Sequence, residues 1–264
     1  DTMIWKPSLK TPLCALAIQN IVDRVFNEAG HPGVMCTIVG TDAEVGEAMI
    51  HDKRLPLISA TGSCRMGRVV GSAVAQRLGR SLLELGGNNA IIVDETADLD
   101  LALRGILFGA VGTAGQRCTS TRRVMLQRSI ARGFAERLAA AYATVPIGDP
   151  LAAGTLMGPL IDQDAVDGFL RAVEAAKAEG AEILHGGGVV GGPGFYVEPT
   201  LIWSEKRLEI SRHETFAPIL FLRPWDSLDE AVADQNDADQ GLSSAIFTNR
   251  LRSAECFLSQ QGSD

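Results

Sequence analysis

Leu57-Ile58-Ser59-Ala60-Thr61-Gly62-Ser63, then Arg65 to Leu78, then Leu82-Leu83-Glu84-Leu85, read as strand, turn, helix and strand. The first run is short and apolar, as in a buried strand. Thr61-Gly62-Ser63 supplies turn chemistry and a helix start. Strand, helix and strand in that order make a βαβ unit, whose two strands lie parallel. The same rhythm holds upstream. Met3 to Trp5 is a short strand. Thr11 to Ala29 is a helix with Pro12 at its first position and Thr11 placed to cap it. Leu13, Ala17, Ile21 and Val25 share one face of that helix. Gly30 and Pro32 end it, Val34 to Val39 is a strand, and Asp42 to His51 is a helix. This is the pattern of a doubly wound parallel sheet.

The rhythm changes after Gly86-Gly87. Strands are expected at Ala90–Val93, Val124–Leu126, Tyr196–Trp203, Ile219–Arg223 and Ser244–Phe247. Helices are expected at Asp98–Ala114, Ile130–Thr144, Asp164–Glu179, Leu228–Ala233 and Leu251–Ser259, and residues 186–194 read as a surface loop. A boundary at residues 84–87 divides two α/β lobes, 1–85 and 86–264, with a cleft expected between them.

Composition narrows the function. Of 264 residues, 46% are hydrophobic and 21% charged, which excludes a disordered chain. The net charge of −8 disfavours nucleic acid and anionic membranes as partners. No apolar run reaches the roughly 18 residues of a membrane span. The five cysteines (Cys14, Cys36, Cys64, Cys118, Cys256) are widely spaced with no CxxC pair, and the four histidines form no HxxxH pair. Neither a disulfide framework nor a metal site is expected, and a reducing cytosol is the expected compartment. The chain opens inside a strand and stops abruptly after Gly262, so a piece of a longer protein is expected.

Several residues could carry chemistry. Cys118 stands in Gly112-Thr-Ala-Gly-Gln-Arg-Cys118-Thr119, with glycine for close approach and Arg117 adjacent to favour a thiolate. It reads either as a nucleophile or as a small buried hydrophobe. The other four cysteines read as core or wall. Glu84 is a lone carboxylate in an apolar strand. It is either a general base whose pKa is raised by desolvation, or the partner of Arg80 or another cation in a structural ion pair. Gly62-Ser63 precedes a helix whose first amides could meet a phosphate; an ordinary turn is the alternative. Lys6 reads as a ribose or phosphate donor or as a surface charge. Glu214 reads as a ribose acceptor beside Phe216, or as a turn residue.

Leu83-Glu84-Leu85-Gly86-Gly87-Asn88-Asn89, Gly115-Gln116-Arg117-Cys118-Thr119 and Glu214-Thr215-Phe216-Ala217-Pro218, in that order, resemble the aldehyde dehydrogenase superfamily along essentially the whole chain. The wording around Cys118 and at Gly241–Thr248 is most similar to the α-aminoadipic semialdehyde (antiquitin, piperideine-6-carboxylate) dehydrogenase branch. The resemblance implies part of a cofactor-binding domain followed by a thiol-bearing catalytic domain. It implies Cys118 as nucleophile, Glu84 as activator of the hydrolytic water, and the Cys118 amide as one oxyanion donor. Lys6 and Glu214 would hold riboses, and Gly62-Ser63 the pyrophosphate. Ser8 and Gly46 would lie by the adenosine, and Leu85 and Phe216 would complete the cofactor contacts. Arg117 and Thr119 would meet substrate, with Arg117 reading a remote carboxylate. The implied cofactor is NAD. The residue three after the lysine is Leu9 rather than an acid, so charge does not exclude NADP. A small aldehyde is the implied partner, and a homo-oligomer the implied full-length assembly. Rival readings are a CoA-acylating enzyme, which Glu84 argues against; another aldehyde, such as betaine aldehyde or succinic semialdehyde; and an inactive nucleotide-binding chain.

Overall fold

The computed structural model describes residues 1–263. The chain divides into two compact units, Asp1–Leu85 and Gly86–Asp264.

The first unit runs β1 (Met3–Trp5), α1 (Pro12–Glu28), β2 (Met35–Thr37), α2 (Glu47–His51), β3 (Leu57–Thr61), α3 (Cys64–Gln76) and β4 (Arg80–Glu84). A π-helical turn, Asp42–Gly46, leads into α2. The strands are parallel, but they form two separate pairs, β1–β2 and β3–β4, rather than one sheet. β1 and β2 are only three residues each, and among the described residues no ladder joins them to β3 and β4. Ile50, Ile58, Val70, Ala73 and Val74 make the small core over the second pair. Two expectations fail on α1. Thr11 occupies the cap position, but its side chain accepts no bond from the helix. The face shared by Leu13, Ile21 and Val25 is exposed; only Ala15 is buried. Cys14 and Cys36 are exposed too, so neither is a core residue.

The second unit runs β5 (Asn89–Val93), α4 (Leu99–Val111), β6 (Thr121–Gln127), α5 (Arg128–Tyr142), α6 (Gln163–Ala178), β7 (Glu182–His185), β8 (Thr200–Trp203), β9 (Ile219–Trp225), α7 (Leu228–Asn236), β10 (Ser244–Phe247) and α8 (Leu251–Phe257). Its six strands form one sheet in the order β10-β5-β6-β9-β8-β7, parallel except for the β7–β8 pair. Alternate residues face opposite layers. Ile91, Val93, Val124 and Leu126 pack with α4, α5 and α6, including Ile106, Phe134, Leu138 and Phe169. Ala90, Ile92 and Met125 pack with Ala231 and Val232 of α7 and Phe257 of α8. Helices on both faces explain why the central strands read as nearly continuous apolar runs.

Helix α4 begins where its sequence directs. The Asp98 carboxylate accepts from the Asp100 and Leu101 amides, each at 3.0 Å. It ends three residues before the expected Ala114, because the next turn winds the other way. Thr113 (φ 58°) and Ala114 (φ 51°) are both left-handed, and Gly115 follows at φ 68°. Two consecutive non-glycine residues in this region cost about 1–2 kcal/mol each, so surrounding contacts must hold them there. Among the described residues no helix is long and apolar enough to cross a membrane.

Candidate functional site

The first unit places its candidates at the carboxyl ends of parallel strands, where α/β folds bind ligands. Lys6 follows β1, Gly62 and Ser63 follow β3, and Glu84 ends β4. Lys6 Nζ lies 2.6 Å from Asp42 Oδ1, and the Lys6 side chain is 13% exposed against 97% for Asp42. Gly46 packs beside the Lys6 chain, 3.8 Å from its Cε to an ideal Cβ. Ser8 is exposed, and its hydroxyl accepts from the Lys10 amide. The Gly62 amide donates to the Glu84 carbonyl at 3.0 Å, and Ser63 Oγ caps α3 by accepting from the Met66 amide. Leu85 packs against Gly67 of α3, so close that a Cβ there would lie 2.5 Å from it.

Glu84 departs from expectation. It is exposed, as is Leu82 beside it, and its side chain makes neither an ion pair with Arg80 nor any other hydrogen bond among the described residues. The apolar neighbours in sequence do not enclose it, because β4 is paired on one side only.

The second unit gathers its candidates at the opposite, amino ends of strands: Asn88 and Asn89 at β5, Cys118 before β6, Glu214 and Phe216 before β9, and Ser243 before β10. Cys118 is half-buried. Its carbonyl accepts from Asn89 Nδ2 at 2.7 Å, and the same nitrogen reaches the Ser120 carbonyl at 2.9 Å. Asn89 Oδ1 accepts from the Ser243 amide at 2.9 Å. One amide side chain, 3% exposed, thus joins three segments. Gly87 lies so near that a Cβ would sit 2.6 Å from the Cys118 carbonyl oxygen. The Cys118 amide itself has no acceptor among the described residues.

The left-handed turn before the thiol is pinned from two sides. Gln116 Nε2 reaches the Thr113 and Pro159 carbonyls, and its Oε1 accepts from the Ile161 amide at 2.9 Å. Gly115 is required twice, by its positive φ and by the Ala217 carbonyl, 2.3 Å from where a Cβ would stand.

Arg117 is held by Thr113 and Phe108. Its Nε donates to Thr113 Oγ1 at 2.8 Å, and its guanidinium lies 5.3 Å over the Phe108 ring. Among the described residues no carboxylate pairs with it. Thr119 is exposed, with no side-chain hydrogen bond among the described residues.

The cation that does serve the thiol loop is Arg122, which sequence reasoning missed. It is 2% exposed. Its Nη1 donates to the Gly115 carbonyl at 2.6 Å and the Ala217 carbonyl at 3.1 Å. Its Nη2 donates to the Arg117 carbonyl at 3.1 Å and to Glu214 Oε1 at 3.4 Å. Phe216 lies face-on to it at 5.3 Å. Burial pushes its pKa below the ordinary guanidinium value, while the charges of Glu214 and Cys118 push it back up. Arg123 next door is buried for another purpose. It holds the carbonyls of Asn88, Asp234 and Gln235. Glu214 also accepts from the Gly87 amide at 3.3 Å, again through Oε1, which leaves Oε2 open among the described residues.

The model of the aldehyde dehydrogenase family matches residues 1–261. The chain is 45% identical to the α-aminoadipic semialdehyde dehydrogenase of Bos taurus over 265 residues, covering all of this chain and 49% of that protein. It is 42% identical to aldehyde dehydrogenase family 7 member A1 of Pisum sativum, covering 52% of it. The chain spans about half the length of the curated relatives it matches. Among solved structures it is similar to lactaldehyde dehydrogenase from Escherichia coli, with TM-score 0.91, 36% identity, and coverage of 96% of this chain and 53% of that one. It is similar also to betaine aldehyde dehydrogenase from Staphylococcus aureus in complex with NAD+, with TM-score 0.91, 31% identity, and coverage of 96% and 51%.

Proposed function

Because the chain belongs to the aldehyde dehydrogenase family, we propose that it carries the nucleophile, the general base and the cofactor contacts of an enzyme that oxidises a carboxylate-bearing semialdehyde with NAD. The observation that carries this reading is the presentation of Cys118: a half-buried thiol on a strained loop, with its carbonyl held by Asn89 and its own amide left free.

The residues fit an NAD cofactor. Glu214 keeps one carboxylate oxygen open to ribose hydroxyls, and Lys6 has ammonium protons beyond the one given to Asp42. The first-turn amides of α3 behind Gly62 and Ser63 suit a pyrophosphate. Ser8, Gly46 and Leu85 would complete the contacts on the first unit, and Phe216 those on the second. Bound NAD supplies the hydride acceptor. The chain's own residues do the rest. Cys118 Sγ, as thiolate, forms a bond to the aldehyde carbon, and its backbone amide donates to the oxygen that becomes negative. Loss of hydride from that carbon leaves a thioester on Cys118. The Glu84 carboxylate takes a proton from water as the water oxygen attacks the acyl carbon, and the acid leaves as the thiolate returns. Brief iodoacetamide treatment with mass-spectrometric mapping is expected to label Cys118 first, at a rate that NAD alters. Preferential labelling of Cys14, Cys36, Cys64 or Cys256 would overturn the assignment.

The substrate class is carried by Arg117. Its terminal Nη1 and Nη2 groups are free of carboxylates, while Thr113 and Phe108 fix the side chain. A guanidinium held this way can grip a remote carboxylate with two parallel bonds. The name of the Bos taurus relative favours aminoadipate semialdehyde. A lost charge-assisted bond costs about 1.5–3 kcal/mol, or roughly 10- to 150-fold. Arg117→Ala is therefore expected to lower kcat/KM for that semialdehyde by this factor and to affect hexanal far less. An equal loss on both aldehydes would remove the carboxylate-reading role.

A further inference from the structure

A β-bulge sets Arg122 where it is. Asn89 pairs with Thr121, but the next residue, Ala90, pairs with Arg123, so Arg122 is the extra residue on β6. A bulge re-aims one side chain without ending the strand. Here it sends a guanidinium into the space behind the thiol loop, where four acceptors meet it. Three of the four are neutral carbonyls. Among the described residues the only carboxylate on it, Glu214, lies at 3.4 Å, longer than a good charged hydrogen bond, and the Nε proton has no partner. A nearly fully buried cation with one weak counter-charge is electrostatically under-compensated. Three carbonyls around the thiol loop are tied to it: Gly115 and Arg117 before Cys118 in the chain, and Ala217 from a distant segment.

We propose that Arg122, rather than Arg117, is the positioning residue for Cys118: it clamps the left-handed turn that presents the thiol, favours its thiolate form, and joins that thiolate to Glu214 through a shared cation. Glu214 and the Cys118 thiolate then compete for one guanidinium.

The inference rests on the reading of Cys118 as nucleophile, and thiol chemistry separates the two. The measurement is the pH dependence of iodoacetamide alkylation at Cys118 in the full chain, followed peptide by peptide. The loop's charged neighbours in the second unit are Arg122, Glu214 and Arg117, and each is varied. Arg122→Met is expected to raise the midpoint by about 1 unit or more, slowing labelling at neutral pH roughly tenfold, since one nearby charge moves a pKa by this much. Arg122→Lys should recover most of the midpoint but not the full rate, because a lysine keeps the charge but replaces the planar fork, whose Nη1 and Nη2 reach the Gly115, Ala217 and Arg117 carbonyls, with a single compact ammonium. Glu214→Gln should lower the midpoint, and much less so in the Arg122→Met background. That coupling is independent of whether Arg122→Met alone folds well, because Arg122→Lys and Glu214→Gln also report it. Arg117→Met should leave the midpoint in place. An unmoved midpoint in both Arg122 variants, or a shift confined to Arg117→Met, overturns the inference. The nucleophile reading fails separately, if Cys118 proves no faster than the other four thiols.

Discussion

Glu84→Gln is expected to leave the first turnover of the enzyme nearly intact and to slow every later one by about 10²- to 10⁴-fold, the usual contribution of a general base. The amide keeps the shape of the carboxylate and loses only its capacity to accept a proton from water. In the proposed mechanism thioester formation asks nothing of it, so NADH should appear in a burst close to the concentration of Cys118 and then at a slow steady rate. The structure makes this a clean experiment. The Glu84 side chain is exposed and makes no hydrogen bond among the described residues; what it contributes to the fold is its carbonyl, which accepts from Gly62 and is unchanged by the substitution. A folding defect therefore cannot imitate the result. Steady-state turnover equal to that of the unsubstituted enzyme, with no burst, would remove Glu84 from the role of base.

Much of the fold is legible in the sequence alone. Strand–helix alternation is written in local residues: Pro12 opens α1, Asp98 and Ser63 cap α4 and α3, and apolar runs mark β5, β6 and β9. These signals act within a few residues, so a linear reading finds them. What escaped depends on register and on distant partners. Periodicity carries α4 on to Ala114, but Thr113 and Ala114 are left-handed because Gln116 and Arg122 hold the turn from outside. Arg122-Arg123 reads as charge at the mouth of a strand. Both are buried, and only the pairing of β5 with β6 reveals that one of them is a bulge residue. β7 is short and antiparallel, with one end at an exposed Glu182, and its residues carry too little alternation to announce a strand. The opposite error occurs on α1, where a regular apolar stripe suggests a packed face and the structure leaves it exposed. Adjacency in sequence points to Arg117 as the cation beside Cys118. Neighbours in a loop need not point the same way, and it is Arg122, four residues after the thiol, whose guanidinium holds the carbonyls of the thiol loop.

Asn89→Ala carries the other large effect, and it strikes stability and catalysis together. Asn89 is 3% exposed and satisfies the carbonyls of Cys118 and Ser120 and the amide of Ser243. Alanine removes both the donor and the acceptor, and it cannot replace either. A buried polar group left without a partner costs about 1–3 kcal/mol, and of the three groups released only the Ser120 carbonyl belongs to a fully buried residue, Cys118 being half-buried and Ser243 exposed, so a loss of about 1–3 kcal/mol is expected. For a unit of this size that is a fall of roughly 2–12 °C in Tm. The loosened Cys118 carbonyl should also let the thiol wander, and a displacement of about 1 Å from attack geometry costs roughly 10²-fold in rate. The two effects are separable by temperature. Below the unfolding transition, where the variant is still folded, kcat should already be depressed while KM for NAD changes little, because Asn89 touches the thiol loop and not Glu214. Asn89→Asp tests the donor alone. It keeps an oxygen for the Ser243 amide and sets a carboxylate against two carbonyl oxygens, so it should fare no better than alanine. A variant at position 89 with wild-type Tm and wild-type kcat would show that the loop is held by Arg122 and Gln116 without it.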